Sequence, residues 1–137
     1  IALAEALLAD GEAGRAIEVL ESTGDGADVS APVAYYLADA LMKSGRLDDA
    51  RRRLRSALRR SPSDAALYKL LARVEGERDQ WAQSFQAMAE YAFLRDELGQ
   101  ALGHLQAAMT HSADSAYLKA SIDARIKEIE RNRGKTK

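Results

Sequence analysis

Two histidines, two adjacent aspartates and a cluster of six arginines are the residues of this chain whose types and spacing could do chemistry. His104 and His111 stand seven apart. On one helix that is two turns, about 10 Å, too far for both imidazoles to reach one metal ion unless His111 lies past the helix end, so surface or capping roles are expected for them. Asp48 and Asp49 have the look of a carboxylate dyad. They follow a turn, however, and there a helix N-terminus attracts carboxylates for electrostatic reasons alone. Arg51, Arg52, Arg53, Arg55, Arg59 and Arg60 could gather phosphates, but they spread around more than one helix face and have no aromatic platform or glycine loop beside them. A solvated outer face that docks on acidic surface is the simpler reading, and Glu12, Glu18, Glu21, Asp25 and Asp28 supply such acidity early in the chain. No nucleophile, base and orienting group can be assembled from what remains. The chain is therefore expected to be non-catalytic, with no cofactor and no metal of its own.

The 137 residues, with only 2 prolines and 47% hydrophobic side chains, suit one nearly all-helical domain. Aromatics make up 6%, so leucine, alanine and isoleucine must form most of the core. A net charge of -1 gives no general pull toward nucleic acid or an anionic membrane, and neither is expected as a partner. No cysteine is present, so disulfide and thiol chemistry are excluded. No apolar run is long enough to cross a bilayer. The chain opens with Ile1, not Met, in an already amphipathic run, which suggests a piece of something longer with any targeting signal upstream.

The residues singled out above have to be positioned by helices, and the stretch from Ala31 to Asp64 shows how. Ala34, Leu37, Ala38 and Leu41 recur at spacings of three and four, Leu47 closes a turn at Gly45, and Ala50, Leu54 and Ala57 line a second face. Ser30 is the expected cap of the first helix, and Ser61-Pro62 the break after the second. Gly11, Ala4, Ala16 and Leu20 precede Gly45, Ala38, Ala50 and Leu54 by 34 residues, predicting helices at about 1–9 and 12–23 and a loop over Gly24 to Asp28. Tyr68, Leu71 and Ala72 follow one period later, with Ser63 or Asp64 as cap, Asp79 at the glycine position and Ser84 at the alanine position. Trp81, Phe85 and Tyr91 are expected in the core. Then Ala89, Asp96, Ala101 and Ala108 repeat the internal spacing of Ala38, Gly45, Ala50 and Ala57 after only half a further period. One helix, about 81–95, must then serve two hairpins and bend the array. The domain is drawn as hairpins at about 1–23, 31–60, 64–95 and 81–110, a closing helix at about 114–131, and a frayed tail at 132–137.

Ala38, Gly45, Ala50, Ala57 and Pro62 resemble the tetratricopeptide repeat (TPR), a helix pair with a period of about 34 residues. The resemblance implies an all-α, TPR-like right-handed superhelix of about eight antiparallel helices with a long C-terminal capping helix. A narrower likeness lies in Ala89, Glu90, Tyr91, Leu94, Arg95 and Ala101, followed by Tyr117, Leu118, Ile122, Asp123, Ala124, Arg125, Ile126 and Glu128. These residues resemble the C-terminal repeat domain of BepA-like zinc metallopeptidases, periplasmic enzymes that help maintain outer-membrane protein assembly. That likeness implies a periplasmic location, an upstream protease domain with a His-Glu-x-x-His helix that this chain lacks, and an accessory surface for that domain, for substrates or for outer-membrane assembly components. The alternative is a stand-alone scaffold or assembly adaptor with no protease attached.

In either case the inner face made by the first helices should carry the binding residues. These are Glu5, Tyr35, Asp39, Met42, Lys69, Arg73, Glu90 and Phe93, a mixed charged and aromatic set suited to peptide segments. The two-carboxylate clamp by which some repeat co-chaperones hold heat-shock protein C-termini needs Lys and Asn where Tyr35 and Asp39 stand, and Asn and basic residues where Leu70 and Gln83 stand. That match fails.

Overall fold

The computed structural model describes residues 2–22 and 30–135. Among them are eight α-helices and no strand: α1 (Ala2–Ala9), α2 (Ala13–Ser22), α3 (Ala31–Lys43), α4 (Leu47–Arg60), α5 (Ala65–Glu77), α6 (Trp81–Leu94), α7 (Leu98–Thr110) and α8 (Ala116–Lys135). The loop expected over Gly24 to Asp28 lies outside the described residues, as do Thr136 and Lys137.

Four of the turns are built alike. Gly11 and Gly45 have φ of 78°, Asp79 has 59° and Asp96 has 61°. At each, the left-handed residue donates its N–H three residues back (Gly45 to Met42 at 3.0 Å, Asp96 to Phe93 at 3.0 Å), and the next residue donates five back (Arg46 to Leu41 at 2.8 Å, Glu97 to Ala92 at 2.9 Å). This pair of hydrogen bonds satisfies carbonyls that a helix end leaves open and turns the chain sharply. Glycine makes that geometry nearly free, and a short polar residue such as aspartate tolerates it at some cost. Asp79 and Asp96 are thus true replacements for the glycine.

Two further described linkers, at 61–64 and 112–115, follow a different plan. Asp64 donates its N–H to the Ser61 carbonyl, and Ser115 donates its own to the Ser112 carbonyl, at 3.1 and 3.0 Å. The Asp64 side chain then caps α5 by accepting from Leu67 N–H at 3.3 Å, and the Ser115 hydroxyl caps α8 by accepting from Leu118 N–H at 3.1 Å. Ser30 occupies the N-cap of α3, but its side chain makes no capping bond, against expectation. Pro32 in the first turn presets the backbone there.

The core is made by small residues that let helices approach. Ala4, Ala16, Ala38, Ala50, Ala89, Ala101 and Ala108 are fully buried, and Ala57 nearly so. Leu37, Leu41, Leu54 and Leu70 fill the spaces between helices. The result is an all-α, TPR-like superhelix in which each helix packs on the next, while α3 also touches both α1 and α5. Buried side chains fall into one cluster over α1 to α5 that takes in Ala87 of α6, and a second over α6 to α8.

α6 packs heavily on both α5 and α7. It meets each through a left-handed turn, at Asp79 and at Asp96. It is therefore the second helix of one hairpin and the first helix of the next.

Three expectations need correction. Trp81 is 47% exposed, with its ring edge over Gly76, where an added Cβ would lie 3.5 Å from Trp81 Cζ3. The indole lies along the turn and does not enter the core. Tyr91 is half-buried and stands outside the core clusters, whereas Phe85, also half-buried, packs against the α6–α8 cluster as expected. The stretch 132–135, expected as frayed tail, continues α8.

Candidate polypeptide-binding faces

The first helices of the early hairpins present one mixed face. On α3, Tyr35 meets Tyr36 edge to face at 5.4 Å, and Lys43 donates to Asp39 at 3.1 Å. Glu5 of α1 accepts from the Tyr36 hydroxyl and, with partial burial, pushes that phenol above its usual range. On α5, the Lys69 ammonium lies 5.5 Å from the centre of the Tyr91 ring, which Arg95 approaches to 5.3 Å. Lys69 and Arg73 are exposed, and among the described residues no carboxylate lies within ion-pair distance of either. Met42, expected here, is only 6% exposed and belongs to the core, because α3 is packed by α1, α2, α4 and α5 together.

Glu90 and Phe93 do not join this face. Glu90 lines a groove of about 610 Å³ between α4, α5, α6 and α8, whose walls include Arg55, Arg59, Tyr68, Gln83, Gln86 and Arg125. The sequence register explains the separation. Ala89 stands to α6 as Ala38 stands to α3, so Gln86 and Glu90 hold the inner positions that Tyr35 and Asp39 hold in α3. Yet they open toward α4, a second helix of the early half. Sharing α6 between two hairpins puts the inner positions of the late half on the side where the early half carries its outer helices.

Ion pairs fix both ends of the groove. Arg125 donates to both Glu90 oxygens at 2.8 Å, lies 3.0 Å from Glu128, and stacks over Phe93 with its guanidinium carbon 4.5 Å from the ring centre. These contacts raise the guanidinium pKa further, the bond to Glu90 first. Burial and then the Glu90 charge push the Tyr68 phenol up as well. At the other end Glu75, 1% exposed, accepts from Arg51 at 3.1 Å and Arg78 at 2.6 Å, and Arg78 also donates to Asp48 at 2.9 Å. No periodicity marked Glu75, which sits where the previous repeat has buried Leu41. The only visible signal was an acid on an apolar stripe one helix after an arginine-rich helix.

The remaining candidates resolve into structure. Asp49 pairs with Arg46 at 2.9 Å and with Arg52, contacts that hold its carboxyl below the ordinary value, and Arg53 lies 3.9 Å from Glu21. His104 and His111 both stack on Phe85, at 6.4 and 5.5 Å between ring centres, with His111 as the C-cap of α7. Among the described residues no group of three or more acidic, histidine or cysteine side chains could hold a metal ion, and no helix is long and apolar enough to cross a membrane.

Residues 7–74, about half of the chain, match the family model of the tetratricopeptide repeat. No curated protein matches the sequence.

Proposed function

We propose that this chain, whose residues 7–74 carry tetratricopeptide repeats, is a non-catalytic domain that binds polypeptide segments. TPR domains bind protein partners, and that general role is the premise here. The observation that carries the reading is the face of α3 and α5, where Tyr35, Asp39, Lys69 and Arg73 stand on neighbouring first helices and neither α5 cation has a carboxylate partner among the described residues. An extended or helical segment laid along it would meet aromatic surface and charge of both signs. Reversing charge in the double variant K69E/R73E should weaken partner capture in a crosslinking assay and leave the helical circular dichroism signal intact. Unchanged capture would remove this face from the account.

The narrower setting we propose is the repeat region of a BepA-like periplasmic metallopeptidase, with an upstream protease domain and outer-membrane assembly components as partners. It is supported by the residue string from Ala89 to Ala101 and from Tyr117 to Glu128, within which Glu90 and Arg125 are bonded to each other. The coding sequence upstream of Ile1 tests it. A His-Glu-x-x-His motif there supports the setting; further repeats alone would favour a stand-alone scaffold.

A further inference from the structure

We propose that the groove between α4, α6 and α8 is a second polypeptide site, opposite the α3–α5 face, and that it takes an acidic segment of a partner protein with an apolar side chain between its carboxylates. The molecule contains its own comparison. One repeat earlier, a groove of about 310 Å³ runs over α3 between α2 and α4. Its charges are spent internally: Asp49 binds Arg46 and Arg52, and Glu21 lies against Arg53. Moving on by 34 residues, Glu21 is replaced by Arg55 and Asp49 by Gln83. The carboxylates that neutralise the first groove are absent from the second, which is also about twice as large.

What remains is a cationic wall. Arg55 and Arg59 are exposed, four residues apart on α4, with no carboxylate of the described residues within ion-pair distance of either. The groove's own acids do not serve them, since Glu75 is held by Arg51 and Arg78, and Glu90 and Glu128 by Arg125. Four residues of helix span about 6 Å, the spacing of two glutamates at i and i+4 on a helical partner. Leu58 and Leu71 line the same groove and supply apolar surface between the cations and α6. The Gln83 and Gln86 amides opposite can bond to a peptide backbone or to side-chain amides. Among the described residues Tyr68 is the groove's one aromatic side chain, half-buried, and a single ring gives no run of platforms for successive bases, so a nucleic acid strand is a poor occupant.

The test uses two dye-labelled 14-residue peptides and the whole chain in fluorescence anisotropy. One peptide carries Glu at i and i+4 beside a leucine stripe, and the other has Gln in place of both Glu. The Glu peptide should bind at least tenfold more tightly than the Gln peptide and weaken as salt is raised. Both R55E/R59E and A124F, which fills the groove from an exposed position without changing charge, should lose that binding, while K69E/R73E keeps it. The proposal is overturned if the Glu peptide does not bind, if both peptides bind alike, or if binding survives R55E/R59E and is lost in K69E/R73E. Because the α3–α5 face is tested by partner capture with K69E/R73E, either site can fail without the other.

Discussion

Arg125 of α8 grips Glu90 of α6 through two parallel hydrogen bonds of 2.8 Å, and its guanidinium rests on Phe93 one turn along the same helix. A planar fork meeting a carboxylate is the strongest form of side-chain hydrogen bonding, and here each partner is about three-quarters buried. The contact ties the closing helix to the shared helix. R125M should therefore lower stability by about 1–3 kcal/mol in urea titration and speed hydrogen exchange in α8 before α3. R125K should rescue only part of the loss, because an ammonium cannot reproduce both bonds. Equal stability of R125M and wild type would mean that α8 is held by apolar packing alone.

Glu75 is the second test of electrostatics. It is buried between Arg51 and Arg78, so E75A takes away the carboxylate that Arg51 pairs with, leaves Arg78 only its bond to Asp48, and opens a cavity in α5. A loss of about 2–4 kcal/mol is expected from thermal or urea unfolding. E75L should cost less, since the preceding repeat packs Leu41 at the same place and both arginines can swing toward solvent.

The turns predict a gain. Asp79 and Asp96 adopt a left-handed backbone that glycine reaches without steric cost. D79G and D96G should each stabilise by about 0.5–1 kcal/mol, while D79V should destabilise by more than that. A β-branched residue accepted at 79 without loss would contradict the turn geometry.

Asp49 gives a pH prediction with a definite sign. Its bonds to Arg46 and Arg52 favour the ionised carboxyl, so its folded pKa lies below 3.8. A group depressed in the folded state adds stability above its unfolded pKa, and that contribution disappears as pH falls through the folded value. Carbon-13 NMR should find the Asp49 midpoint below 3.8 in the wild type and closer to it in R46Q/R52Q. No movement between the two proteins would refute the pairing.

Much of this architecture was legible in the sequence, and the boundary of legibility is physical. Spacing identifies residues on one helix face, which is why Ala38, Ala50, Ala57 and the half-period step to Ala89 pointed to buried contacts and a shared α6. Spacing does not say how many neighbours a helix has. Met42 therefore looked like groove surface, although α3 is enclosed by four other helices. Trp81 looked like core, although its size carries it out over Gly76. The side on which Glu90 opens depends on two hairpins using one helix in opposite roles, and that becomes visible only when α4 and α8 are in place around it.

That arrangement around α6 is the central claim, and spin-label distances test it most directly. Labels at Arg59 and Ala124, which border the same groove, should give a shorter mean distance by pulsed electron resonance than labels at Arg73 and Ala124, which the account puts on opposite sides. The reverse order would contradict it, returning Glu90 to the face of Lys69 and Arg73 and leaving a single binding surface.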